Sequence, residues 1–255
     1  MTSPFAAVYR SAARTLGVIL LAVCATQPLD LQAQSTSEIP RGQGSLNFLL
    51  GVPVGEFSDN VDQVGFGANL YAGKTLGSLP LQVGLDASFL IYGRNRTRVP
   101  FSATVGPAVQ VDVVTINSII QPHAVLRLQP PTGVLRPYIE GLIGFKYLFT
   151  ETRVQDDRSN ESIASTNNFN DFAWSGGLGA GLDIRVASSS SEKRRSQQFF
   201  ISLSVQYLAG QEAEYLAEGE LADTNGDGVL SDDELPIRRS RTNLIQPMIG
   251  LTVTF

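Results

Sequence analysis

The sequence predicts an all-β fold: an eight-stranded antiparallel up-and-down transmembrane β-barrel with short periplasmic turns and long extracellular loops. Three observations lead there. Beyond residue 40, apolar residues recur at period two rather than 3.6, in eight segments. The face opposite each apolar face is built from glycine, serine and a few charges of both signs. The connections between segments alternate short and long, as they do in membrane barrels.

The chain has 255 residues, 17% of them charged, and a formal net charge of -5. No basic stripe of the kind nucleic acid requires is present. Arg10 and Arg14 precede an apolar run from Leu16 to Ala25, and small residues follow near Ala33. A basic start, a short apolar core and an alanine-ended site describe a secretory signal over residues 1–33. The alternative, an uncleaved helical anchor, is the weaker reading because the run falls well short of about 20 residues. Cys24, the one cysteine, lies inside this signal, so an exported mature chain has no disulfide frame. Leu21-Ala-Val-Cys24 leaves lipidation open as the alternative to ordinary cleavage. Residues 34–43 read as a linker and 44–255 as the barrel.

The strand segments begin with Leu46–Val52 and Val64–Ala72, and Leu81, Val83, Leu85, Ala87, Phe89 and Ile91 mark the third. His123–Leu128 and Leu135–Thr150 follow. The sixth is the clearest: Phe172, Trp174, Gly176, Leu178, Ala180, Leu182, Ile184 and Val186 alternate with glycines, small residues, Asp183 and Arg185. Phe199–Leu208 and Ile245–Phe255 close the series. A soluble sandwich would turn the apolar face to a core, whereas a membrane barrel turns it to lipid. Crowded small residues on the other face favour the barrel. So do Asp86, Arg127, Arg136, Glu140, Lys146, Asp183 and Arg185, which could neutralise one another inside a barrel but have no obvious need to on a solvated sandwich face. With eight strands that interior is just filled by side chains, so a plugged lumen is expected.

Short connections are expected at Gly77–Pro80, Gln129–Val134 and Ala187–Gln197. Long ones are expected at Pro53–Gln63, Gly93–Asn117, Glu151–Asn170 and Gly210–Asn243. An even strand count places both termini on the short-turn side, in the periplasm. The last and longest loop, residues 210–243, holds nine of the 24 acidic residues.

Within it, Asp223 to Glu234 reads DTNGDGVLSDDE, the ligand order of an EF-hand calcium loop. Asp223, Asn225 and Asp227 offer side-chain oxygens at positions 1, 3 and 5, and Gly228 makes the turn at position 6. Val229 would give its backbone carbonyl, Ser231 would act at position 9, and Glu234 would close the site with two oxygens. The alternative is a solvated acidic loop that binds nothing specific. Glu212–Ala222 reads as a short entering helix broken by Gly219, and Pro236 ends any exiting helix within about a turn.

Catalytic signals are weak. The one histidine, His123, falls on the lumen face of the fourth segment, away from any loop where a serine triad would assemble. Gly176, Gly177, Gly179 and Gly181 lie mid-strand rather than before a helix, which argues against a phosphate loop.

The terminal Gly250-Leu-Thr-Val-Thr-Phe255, together with Gly51-Val-Pro-Val-Gly-Glu-Phe57 and Arg136-Pro-Tyr-Ile-Glu-Gly-Leu-Ile-Gly-Phe145, resembles small outer-membrane barrels of the outer-membrane protein A-like class. Met248 departs from the resemblance, standing where the assembly signal usually has a polar residue. The resemblance implies a bacterial outer-membrane location and contact of Phe255 with barrel-assembly machinery. The resulting expectation is a non-enzymatic, monomeric barrel in outer-membrane lipid, with a calcium-binding surface loop and a structural or surface-interaction role. Lipopolysaccharide, which Arg238-Arg-Ser-Arg241 could touch, or an extracellular ligand are its candidate partners. The rivals are a narrow channel for small solutes and, behind it, a loop-borne membrane enzyme.

Overall fold

The computed structural model describes residues 40–100, 110–156, 162–191, 194–216 and 237–255. Strands β1 (Gly42–Pro53), β2 (Gly65–Thr75), β3 (Leu81–Pro100) and β4 (Gln110–Leu128) are followed by β5 (Leu135–Asp156), β6 (Ser162–Ser191) and β7 (Arg194–Gly210). A short hairpin, β8 (Glu212–Leu216) with β9 (Ile237–Arg241), precedes the last strand, β10 (Leu244–Thr254). β1 to β7 and β10 form a closed antiparallel barrel in which every strand pairs with its chain neighbours, and β10 sits between β7 and β1. The expected eight-stranded meander is present, with β8 and β9 as an excursion outside the wall.

Closure is made by the ends of the chain. β1 and β10 pair from Gln43↔Thr254 to Pro53↔Leu244. Beyond them, Arg41 and Gly42 donate to the Phe255 carbonyl at 2.8 and 2.9 Å, and Phe255 donates back to Gly42 at 3.0 Å. The final residue therefore completes the seam. At the same end, the turns after β2 and β4 contain Gly77 and Gly133 at φ 62° and 127°, a region that side chains disfavour.

The pleat sorts residues as the alternation demands. Leu46, Leu70, Leu85, Leu126, Ile139, Ile143, Trp174, Leu178, Leu203 and Leu251 point outward and are exposed. The intervening side chains are buried inside. Of the seven charges expected in the lumen, Asp86, Arg127, Arg136, Glu140, Lys146 and Asp183 are buried. Arg185 is half-buried, beside a register irregularity between β6 and β7.

Arg127 and Glu140 face each other in register and form an ion pair at 2.7 Å. The guanidinium lies between two rings, 3.7 Å from the Tyr71 centroid and 4.1 Å from that of Tyr138. Gln206 donates to the second Glu140 oxygen at 2.9 Å. Glycine makes room for this stack, since a Cβ at Gly179 would lie 2.7 Å from Glu140 Oε1 and one at Gly181 2.7 Å from Tyr138 Cε1. Toward the chain termini, Asp183 accepts from Gln129 at 2.7 Å, from Gln43 at 3.3 Å and from Ser202. Arg136 donates to Gln129 at 3.2 Å and to the Pro130 carbonyl at 2.9 Å. Nearer the middle, Asn69 donates to Asp86 at 2.8 Å and Ser88 at 2.9 Å. The interior is thus bridged strand to strand by polar side chains.

Several boundaries differ from expectation. β1 starts at Gly42, two residues before the expected barrel start at Gly44. The expected loops Gly93–Asn117 and Glu151–Asn170 are largely strand, because β3 to β6 keep pairing well past the apolar band. The expected turn Ala187–Gln197 is also mostly strand. Outside the apolar band no burial pattern is imposed, so polar strand and polar loop share a composition.

Breaking the central ion pair tests its role. Removing one partner of a buried pair costs about 3–5 kcal/mol, while replacing both by apolar residues costs far less. Urea unfolding in detergent micelles should therefore show Glu140→Leu strongly destabilised. The Glu140→Leu/Arg127→Leu double variant should recover most of the loss; simple additivity of the two would contradict the pairing.

Candidate functional site

At the end of the barrel away from the termini, the lumen changes character from polar to apolar. Leu49, Leu90, Tyr92, Ile119, Leu148, Leu244 and Met248 close inward from the wall. Phe57, carried by a 3-10 turn at Gly55–Phe57, and Val61 fold in from the connection after β1. Tyr215 of β8 enters from above. Phe57 and Tyr215 meet edge to face with centroids 5.2 Å apart, and Tyr92 lies 5.7 Å from Phe57 and 6.5 Å from Tyr215. Such packing between ring faces and edges adds to the burial of each ring. These three side chains are at most 2% exposed, so together they stopper the lumen.

The β8–β9 hairpin is fastened to the rim at several points. Its register runs from Glu212↔Arg241 to Leu216↔Ile237. Gln211 donates to the Trp174 carbonyl at 2.9 Å, and the Glu214 amide donates to Asp171 Oδ2 at 2.7 Å, both on β6. The Arg241 amide donates to Glu56 Oε2 at 3.2 Å, tying β9 to the turn that carries Phe57. At the stem, the Gly210 amide donates to Asn243 Oδ1 at 3.0 Å. Lys146, fully buried on β5, donates to the carbonyls of Leu208, at 3.2 Å, and Thr242. Its ammonium is compensated by carbonyl dipoles at the point where the hairpin leaves the wall. Tyr215 O–H and Ser240 Oγ share a hydrogen bond of 2.7 Å. Burial raises the Tyr215 pKa above the ordinary phenol value, so the group stays neutral.

Of the expected calcium ligands, Asp223, Asn225, Asp227, Val229, Ser231 and Glu234 all lie outside the described residues, as does the signal at 1–33. Among the described residues no cluster of three or more metal-ligating side chains occurs. The near flank of the calcium loop is a correction to the sequence reading. Glu212–Leu216 is a strand paired with Ile237–Arg241, where the start of a helix was expected. The calcium motif therefore falls between the arms of a β-hairpin. Glutamate, alanine and leucine favour helix in isolation, but burial of Ala213 and Tyr215 on one face overrides that preference. The alternation of Glu212 and Glu214 with Ala213 and Tyr215 was the available signal.

His123 faces the lumen as expected, with Nε2 3.1 Å from Ser175 Oγ. Among the described residues no carboxylate orients its Nδ1, so these two residues do not extend to a triad there.

No protein-family model matches the chain, and no curated protein matches it by sequence. Among solved structures, it is similar to Neisserial surface protein A at 10% identity, over 84% of this chain and 94% of that one, with a TM-score of 0.34. A major outer membrane protein from Thermus thermophilus aligns at 13% identity over 84% of this chain and 99% of its own, with a TM-score of 0.28. The translocator domain of an autotransporter from Neisseria meningitidis aligns at 12% identity over 97% of each chain, with a TM-score of 0.25. The fold assignment stands on the register and closure of this chain's own strands.

The aromatic stopper can be tested directly. Truncating a fully buried phenylalanine costs about 3 kcal/mol or more. Phe57→Ala should lower the unfolding midpoint and speed amide exchange at Ala213 and Tyr215. If exchange there matches wild type, Phe57 does not hold the hairpin down.

Proposed function

We propose that this chain is a non-enzymatic outer-membrane β-barrel protein, exported through a signal peptide, with a sealed lumen and a calcium-binding surface hairpin. The observation that carries the membrane reading is the outer wall. Along the band from Leu135 to Tyr147 on β5, and along the matching lengths of the other strands, the outward residues are apolar or small. The outward charge Lys74 stands at the end of β2, one residue before the strand gives way to a short turn. Such a band, on strands tilted by about 45°, rises roughly 28 Å, close to the thickness of bilayer hydrocarbon. Aromatic rings gather at its upper edge: Phe145 and Phe172 at 4.8 Å, Phe172 and Trp174 at 5.6 Å, Tyr147 and Phe149 at 5.8 Å. That is the position of an interfacial girdle. In water the same wall would be an apolar patch far larger than soluble monomers tolerate.

The closed ladder supports the same reading, because a barrel leaves no backbone amide unpaired in hydrocarbon. The termini and short turns would face the periplasm and the hairpin the exterior. Bonded charges fill the lumen and aromatic rings stopper it, which argues for an anchor or surface platform rather than a solute path. Planar-bilayer recording should accordingly show no defined conductance. Regular steps that survive repurification would replace this reading by the transport one.

The calcium reading is supported by the full ligand order from Asp223 to Glu234 and by the paired stem beneath it. The stem holds Leu216 opposite Ile237, so the ends of the loop are already together and less closure entropy opposes ordering. Lone loops of this kind, facing an exterior rich in calcium, bind with a Kd of about 10⁻⁴–10⁻³ M. Neutralising the carboxylates would stiffen the exposed tip for envelope or surface-contact roles. Calorimetry on the barrel in detergent should give saturable heat with millimolar calcium, absent in Asp223→Ala/Glu234→Ala. Equal heat from that variant would remove calcium from the reading.

A further inference from the structure

Midway along the lumen, below the aromatic stopper, one buried carboxylate has no cation of its own. Asp86 of β3 is 3% exposed and forms no ion pair among the described residues. The charges nearest it are Glu140 and Arg127, which already pair with each other. Two carboxylates thus share one guanidinium at this level. Arg136 lies with Asp183 toward the chain termini, joined to it through Gln129, and Lys146 is committed to carbonyls at the hairpin stem. The middle of the bore is left with a surplus negative charge, which is costly in a space cut off from water.

Amide side chains surround that carboxylate, and two of their oxygens have no partner. Asn69 donates through Nδ2 to Asp86 and Ser88, so its Oδ1 is the atom left to accept from Asn47 Nδ2, at 2.8 Å. That relay fixes the Asn47 amide with its Oδ1 buried and unpartnered, on a residue 7% exposed. Across the bore, Gln206 of β7 donates to the Glu140 carboxylate at 2.9 Å and lies close to Asp86. An ionised carboxylate only accepts, so the Gln206 amide is fixed as well, with its Oε1 buried and unpartnered. Glycine gives both amides their room: a Cβ at Gly250 would collide with Asn47 Oδ1, and one at Gly179 would lie 3.0 Å from Gln206 Cγ. Buried oxygens without partners are rare, and two of them around a surplus carboxylate call for a positive charge.

We infer that Asp86, Asn47 Oδ1 and Gln206 Oε1 hold a hard monovalent cation, of the sodium type, in the middle of the lumen. Hard cations take oxygen donors of the carboxylate and amide kind. A single positive charge matches the surplus. A divalent ion would exceed it and would want more carboxylates than the one present, and the donor set is not a cluster of acids and histidines. Water alone would satisfy the amides and leave Asp86 unbalanced, while a protonated Asp86 would bind no cation. The ion ties β3 to β1 and β7 across the bore, a bracing role separate from that of the surface hairpin.

Urea unfolding of the full mature chain in neutral detergent tests the site, in sodium chloride and in choline chloride of equal ionic strength. Choline carries the same charge and is too large for the bore. Once sodium exceeds its Kd, each further tenfold rise should increase the folding equilibrium constant about tenfold, and choline should have no such effect. Asp86→Asn keeps the shape of the side chain, removes its charge, and should abolish the sodium increment. Asn47→Leu keeps the charge, removes one oxygen, and should weaken the increment. Asp223→Ala/Glu234→Ala should retain it in full. Equal stability in sodium and choline, or an increment that persists in Asp86→Asn, would overturn the site. An increment lost with the two surface-loop substitutions would overturn it too, by placing the ion outside the lumen. Should Asp86→Asn fail to fold, the wild-type comparison and Asn47→Leu decide the matter, an unchanged increment in the latter counting against the site.

Discussion

Closure of the backbone ladder is the constraint on which everything else in this molecule depends. β1 and β10 are the first and last strands of the wall in the chain, yet they are neighbours in space, and the seam between them is completed by Phe255 itself. Once the seam is made, each strand has two partners and each side chain only two choices, in or out. The alternation of the sequence then decides both surfaces at once. A one-residue slip of β1 along the seam would turn Leu46 and Phe48 inward and Gln43 outward.

The inside is consequently the unusual part. It is narrow, cut off from bulk water and filled with groups that are costly to bury alone. The charges are tolerated because they come with partners from other strands. Arg127 has Glu140 and two aromatic faces, and Asp183 has amides and a hydroxyl from three other segments of the chain. Lys146 differs, being compensated by carbonyls at the hairpin stem. Polar bonding in the lower lumen and apolar packing in the upper therefore do complementary work: one ties the wall together across its bore, the other closes it and carries the surface hairpin.

Much of this was legible in the sequence, and the reasons are physical. A wall between lipid and a crowded bore imposes period two on every spanning residue, so strand number, facing and the inward charges could be read directly. The partners of those charges could not, because Arg127 meets Glu140 only through the register across the β4–β5 turn. Strand ends were also hidden, since β3 to β6 outlast the apolar band that marks them. The stopper was the largest omission. Phe57 stands as one ring in the polar stretch Gly55-Glu-Phe-Ser58, and Tyr215 sits among glutamates and alanine that resemble a helix. Only their meeting across a long sequence separation gives either a purpose. Proline was no obstacle to the strand reading: Pro122, Pro137 and Pro247 all point outward within spanning strands, and the β4–β5 pairing skips the position of Pro122.

The route by which the hairpin leaves the wall has an architectural consequence. Because β7 and β10 pair directly, from Leu208↔Leu244 to Gln198↔Thr254, everything between Gly210 and Asn243 is a side branch. Beyond the Leu216↔Ile237 rung, above the stem that supplies Tyr215 to the stopper and the Thr242 carbonyl to Lys146, its length and content can vary without moving a rung of the cylinder beneath. The molecule is in this sense a socket with an interchangeable head, and a grafted peptide at that position would be displayed without renegotiating the scaffold.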